Sequence, residues 1–118
     1  VTGLLVLLCG GLGAIARFLV DTLVQSRRLS EFPLGTLVVN GGGCLLLGLV
    51  VGLQATHQTT VVLGTALIGS YTTFSTWMLE THRPAQDGEP RLAWLNIALS
   101  LGVGLAAVAL GRRLGAWL

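Results

Sequence analysis

The sequence predicts an all-α membrane protein with four transmembrane helices and a break in the third. Three observations carry this. The chain is 53% hydrophobic and 10% charged, far from the roughly one-quarter charge of a soluble protein. Its apolar residues gather into four stretches, at about 3–24, 34–55, 61–79 and 92–110, each close to the ~20 residues that span a bilayer core. Short polar breaks separate them, so the 118 residues make one domain, 1–118, with almost no chain left for a soluble unit.

The first stretch has no basic start, and Arg17 and Asp21 lie far along it, so it reads as a mature helix and not as a cleaved signal peptide. Its run Gly10-Gly11-Leu12-Gly13-Ala14-Ile15-Ala16 is dense in small residues that let another backbone approach closely. Arg17 and Asp21 are one turn apart and can meet on one face, which lowers the cost of charge near the membrane. The polar break 25–33 ends in Pro33, suited to the first turn of the second helix.

In the second stretch Thr36, Asn40, Cys44, Gly48 and Gly52 recur every four residues and form one stripe of small or polar groups. Asn40 in such a stripe either bonds a neighbouring helix or donates to an anion. Cys44 and Cys9 read as small packing residues. The segment Thr56-His57-Gln58-Thr59-Thr60 reads as a tight turn that makes the second and third stretches antiparallel neighbours, with His57 solvated.

The third stretch holds the run around which the rest is organised, Gly69-Ser70-Tyr71-Thr72-Thr73-Phe74-Ser75-Thr76-Trp77. Glycine and β-branched threonine weaken a helix. In hydrocarbon, freed backbone groups are tolerated only where they are buried in protein or line a polar path. The run therefore reads as a broken helix at a site. Glu80 follows on the same face, either as an interfacial charge or at a polar mouth, and 83–91 reads as loop. The fourth stretch places Asn96, Ser100, Gly104, Ala107 and Gly111 on one close-packing face and ends in the interfacial anchors Arg112, Arg113 and Trp117. Arg27, Arg28, Arg83 and Arg91 on one side against Arg112 and Arg113 on the other is a weak orienting bias, so either insertion direction is open.

Taken together, Gly10 to Arg17, Gly35-Thr36-Leu37-Val38-Val39-Asn40 with Gly48, Thr72-Thr73-Phe74-Ser75-Thr76, and the spacing from Ser100 to Gly104-Leu105 resemble the bacterial fluoride channels, the Fluc or CrcB family. The resemblance implies an antiparallel, dual-topology dimer in the bacterial inner membrane, with two fluoride pores and one central structural sodium ion. By motif position it implies sodium ligation by the backbone carbonyls of Gly69 and Thr72. It assigns Asn40 and Phe74 to the pore, and Thr36, Thr73, Thr76, Glu80 and Ser100 to a polar track or vestibule. Arg17 matches an arginine near the membrane end of the first helix. The expected partners are fluoride, membrane lipid and a second copy or a closely related paired subunit.

The chain departs from the family pattern at Ser70, usually glycine, and at Trp77, usually phenylalanine. Trp77 sits three residues after Phe74 and is expected on the fluoride path, where its bulk narrows the aromatic constriction and its indole adds an N–H donor. On bulk alone, Trp77→Phe would raise flux or leave it equal. A small proton-coupled multidrug exporter has a similar length, but needs a membrane carboxylate in the first helix, where only Asp21 is offered. No catalytic constellation, nucleic-acid patch or metal-binding cysteine spacing is present, so an enzyme is not expected.

Overall fold

The structure, a computed structural model, describes residues 1–25 and 34–118, without the side chains of Gln25 and Ser75. The expectations for Pro33, Arg27 and Arg28 lie outside the described residues. The described residues are mostly helical, with no strand among them. In chain order they form α1 (Thr2–Gln25), α2 (Leu34–Gly52), a short α3 (His57–Thr59) that runs into a π-helix (Thr60–Ile68) and α4 (Gly69–Tyr71), then α5 (Ser75–Gln86) and α6 (Pro90–Trp117). Three of them, α1, α2 and α6, are long and apolar enough to cross a membrane. The third apolar stretch is divided between elements instead of forming one such helix.

The polarity of this fold is the reverse of a soluble protein's. Leu7, Phe18, Leu105 and many other large apolar side chains face outward, while Thr36, Thr73, Thr81 and Asn96 are buried. An apolar exterior is favourable against lipid, and buried polar groups must then find partners inside.

Two parallel helix pairs set the frame. Along α2 and α6, Gly41 faces Val103, Cys44 faces Gly104 and Gly48 faces Val108, so the numbers rise together on both helices. A Cβ added at Gly48 would overlap the Val108 carbonyl, and one at Gly111 would overlap that of Leu45. The glycine stripes therefore bring the two backbones into contact, as small residues do between membrane helices. Along α1, Gln58 Nε2 donates to Thr2 Oγ1 at 3.0 Å and a Cβ at Gly13 would overlap the Leu67 carbonyl. The segment 57–71 thus runs parallel to α1.

Several boundaries differ from the sequence expectations. The second helix stops at Gly52, not near 55, and Gln54 adopts a positive φ of 53° in the turn that follows. The expected turn at Thr56–Thr60 is instead a helix start, because Thr56 Oγ1 accepts the Thr59 N–H at 3.3 Å, a capping bond that satisfies one free donor. His57 is exposed, as expected, but on the first helical turn. Residues 83–86, expected as loop, complete α5 with Pro84 inside it. Proline near a helix end forfeits a single backbone bond, and Gly88 at φ 80° turns the chain only afterwards. The last helix extends beyond 110 to Trp117. The π-helix has no counterpart in the expectations. Its β-branched residues and Gly64 weaken the α ladder, and the Gly69 N–H reaches back to the Gly64 carbonyl.

Candidate functional site at the broken helix

The break comes from a competition for backbone partners. In a continuous helix the Gly69 carbonyl would accept the Thr73 N–H, and the Thr72 carbonyl would accept the Thr76 N–H. Here the Thr73 N–H donates to Asn40 Oδ1 at 2.8 Å, and the Thr76 N–H donates to Thr73 Oγ1 at 3.3 Å. Thr72 is extended, with φ −79° and ψ 162°. Two side chains have replaced two carbonyls, and the carbonyls of Gly69 and Thr72 lose their helical donors.

Asn40 completes the clamp from the other side, its Nδ2 donating to the Thr73 carbonyl at 2.8 Å. Both ends of one amide thus hold the two backbone groups of one residue, Thr73, and one Nδ2 hydrogen is left over. The Thr72 carbonyl accepts from the Arg17 guanidinium at 3.3 Å. Arg17 therefore does not pair with Asp21, whose Oδ1 is buried without a hydrogen-bond partner. Gly69 keeps a long contact from Thr72 Oγ1 at 3.5 Å.

Freed carbonyls are hard oxygen ligands, and each has two lone pairs, so Arg17 leaves one open on Thr72. This donor set fits an alkali cation in kind. Two oxygens are fewer than a hard cation takes, so further ligands would have to come from outside this chain.

Two cavities flank the clamp. One, of about 370 Å³, is lined by Asn40, Cys44, Gly69, Thr72, Thr73, Phe74, Trp77 and Ser100 among others. No charged residue lines it among the described residues. Phe74 and Trp77 meet edge to face across 5.6 Å at 61°. The second, of about 160 Å³, is lined by Arg17, Asp21, Thr36, Thr73 and Thr76 with apolar neighbours. Thr73 lines both. Glu80 lines neither but accepts a hydrogen bond from Thr36 Oγ1, which ties α5 to α2. Apart from Glu80, the site residues named from sequence thus divide between an aromatic cavity and a charged, hydroxyl-lined one, with Thr73 in both.

A further polar relay was not expected. Ser100 Oγ donates to Asn96 Oδ1 at 3.4 Å. Asn96 Nδ2 donates to Thr81 Oγ1 at 2.9 Å. Thr81 Oγ1 donates to the Trp77 carbonyl at 2.9 Å. Asn96 is only 1% exposed, and its place on the Ser100 face, four residues before, was the signal for it. Cys44, expected only to pack, also lines the aromatic chamber, as its spacing of four from Asn40 allows.

Residues 4–112 match the family model described as CrcB-like protein, Camphor Resistance (CrcB). The chain belongs to the CrcB family. Among curated members, it is 48% identical over 109 residues to the "Fluoride-specific ion channel FluC 2" of Mycolicibacterium paratuberculosis, covering 92% of this chain and 89% of that one. It is 46% identical over 115 residues to the "Fluoride-specific ion channel FluC 1" of Rubrobacter xylanophilus, covering 96% and 92%. It is 45% identical over 112 residues to the FluC 1 protein of Symbiobacterium thermophilum, covering 90% of each chain. Membership in the CrcB family, with three apolar helices of spanning length, makes this a multi-pass membrane protein and displaces the multidrug-exporter alternative.

Proposed function

We propose that this CrcB chain is a subunit of a fluoride-selective channel of the bacterial cell membrane, exporting fluoride down its gradient. The observation that carries the reading is the uncharged chamber in which the Asn40 amide, the Phe74 and Trp77 rings and the Ser100 hydroxyl come together. Selective passage of a small anion requires groups that replace its water without trapping it. Neutral donors and the positive edges of aromatic rings do this, whereas an arginine in the same place would bind too tightly. The hydroxyl-lined cavity with Arg17, Thr36 and Thr76 serves as the vestibule, with Glu80 behind Thr36.

The complete channel in this reading has four spans per chain, the third broken at Thr72–Phe74, and two copies inserted in opposite directions. Each copy contributes the Gly69 and Thr72 carbonyls to one central sodium ion, which supplies fixed positive charge near the pores. The shortfall of ligands on one chain supports the dimer. The numbered names FluC 1 and FluC 2 among relatives support a paired, non-identical partner as the alternative to a second copy. Fluoride efflux from liposomes holding the purified chain, followed with a fluoride electrode, tests the reading. Efflux well above that of protein-free vesicles, with chloride retained, is the expected result.

A further inference from the structure

The hydroxyl-lined cavity holds a cation and an anion that do not meet. Arg17 donates one N–H to the Thr72 carbonyl at 3.3 Å, and a guanidinium carries several more. Asp21 Oδ1 is buried with no hydrogen-bond partner. Both side chains line the same space of about 160 Å³, one turn apart on α1, where residues four apart are neighbours. A buried carboxylate oxygen left unpaired is costly, and native proteins keep few such groups. The relief for it stands in the same cavity, unused.

Conduction supplies a reason for the arrangement. In the reading above an anion crosses this vestibule before the aromatic chamber, and Thr73 lines both cavities. The remaining Arg17 donors are charge-assisted and so the strongest an anion meets there, whereas Thr36 already donates its hydroxyl proton to Glu80. An ion that is held too well does not leave, and conduction requires that it leave. Something must limit the grip of Arg17. Asp21 is the only acidic side chain among the described residues that line the cavity, and a tethered carboxylate competes for a neighbouring guanidinium at a high effective concentration. We propose that Asp21 is a positioning residue that acts through Arg17 to release fluoride from the vestibule. Its carboxylate takes up the Arg17 donors as the ion moves on toward Asn40 and yields them to the next ion. Only hydrogen-bond partners are exchanged, and side-chain rotation on one helix face is enough. This rests on the fluoride-channel reading and deepens it.

The test uses the full chain in liposomes, with Asp21→Asn, which keeps the shape and removes the charge, and Asp21→Glu, which keeps the charge. Fluoride efflux per assembled channel is measured over a range of sodium fluoride concentrations at constant ionic strength. Asp21→Asn is expected to lower the half-saturating concentration about 10-fold, the order of effect of one like charge removed from a partly solvated site. Its maximal rate is expected to fall several-fold, because the ion is held longer. Asp21→Glu is expected to stay near wild type in both. In thermal melts of the purified protein, Asp21→Asn is expected to be stabilised at lower sodium fluoride than wild type, with sodium chloride at matched concentration giving no such difference. If Asp21→Asn does not assemble, Asp21→Ser takes its place in the same measurements. An unchanged half-saturating concentration overturns the proposal and leaves the channel reading intact. So does one that falls while the maximal rate holds or rises, the mark of plain charge repulsion at the mouth, or an Asp21→Glu protein that behaves as Asp21→Asn. A wild type that conducts no fluoride overturns the channel reading, and this proposal with it.

Discussion

Both ends of the Asn40 amide are engaged by Thr73, so Asn40 is at once the clamp of the break and a wall of the chamber. Asn40→Asp removes the donor to the Thr73 carbonyl and sets a carboxylate beside it, facing the proposed anion path. Fluoride flux in liposomes is expected to fall to the protein-free level, and the melting temperature of the purified protein to fall as well. Flux at the wild-type level would remove Asn40 from the path. Thr73 is separable from it, because its hydroxyl caps the Thr76 N–H. Thr73→Val is expected to lower stability by about 1 kcal/mol, the usual worth of a helix cap, and Thr73→Ser to restore most of it in the same thermal melt. At Thr72 the proposed ligand is a backbone carbonyl, so Thr72→Ser is expected to keep any sodium dependence of flux. Its loss would point to the side chain instead.

Among the elements, the glycine stripes of α2 and α6 were readable because a spacing of four puts residues on one helix face whatever the partner. Their meeting is what the structure adds. Gly111→Leu would drive its side chain into the α2 backbone, where even a Cβ overlaps the Leu45 carbonyl. The yield of assembled protein by size-exclusion chromatography is expected to drop several-fold, whereas Gly102→Ala, in open space, is expected to be neutral. The composition of 69–77 marked a weak place in the third stretch, but not which bonds would replace the lost ones. One comes from Asn40, 33 residues earlier in the chain, which no local pattern contains; the other, from Thr73 Oγ1 to the Thr76 N–H, is local. The bond from Arg17 to the Thr72 carbonyl, 55 residues away, is likewise in no local pattern, where only Asp21 one turn on was visible. The π-helix and the passage of α5 through Pro84 were illegible because tertiary packing overrides weak local preference. The Asn96 relay was half legible: its face was visible, its partner Thr81 was not.

For the whole molecule, the small arginine bias between the two ends of the sequence leaves both insertion directions open, as the proposed antiparallel dimer requires. A cysteine in place of exposed His57, in a background with Cys9→Ala and Cys44→Ala, gives a direct count. A membrane-impermeant thiol reagent applied to intact cells is expected to label about half of the molecules, since a weak charge bias does not fix orientation; complete or absent labelling would show a single orientation. The central claim is that the chamber beside the broken helix passes fluoride. Its most direct measurement is fluoride efflux from sodium-containing liposomes that hold this chain, alone or co-purified with a second CrcB subunit from the same cell. The account predicts efflux in at least one of these preparations, far above that of protein-free vesicles, with chloride held back. Correctly assembled protein that releases fluoride no faster than bare lipid in both preparations would contradict it.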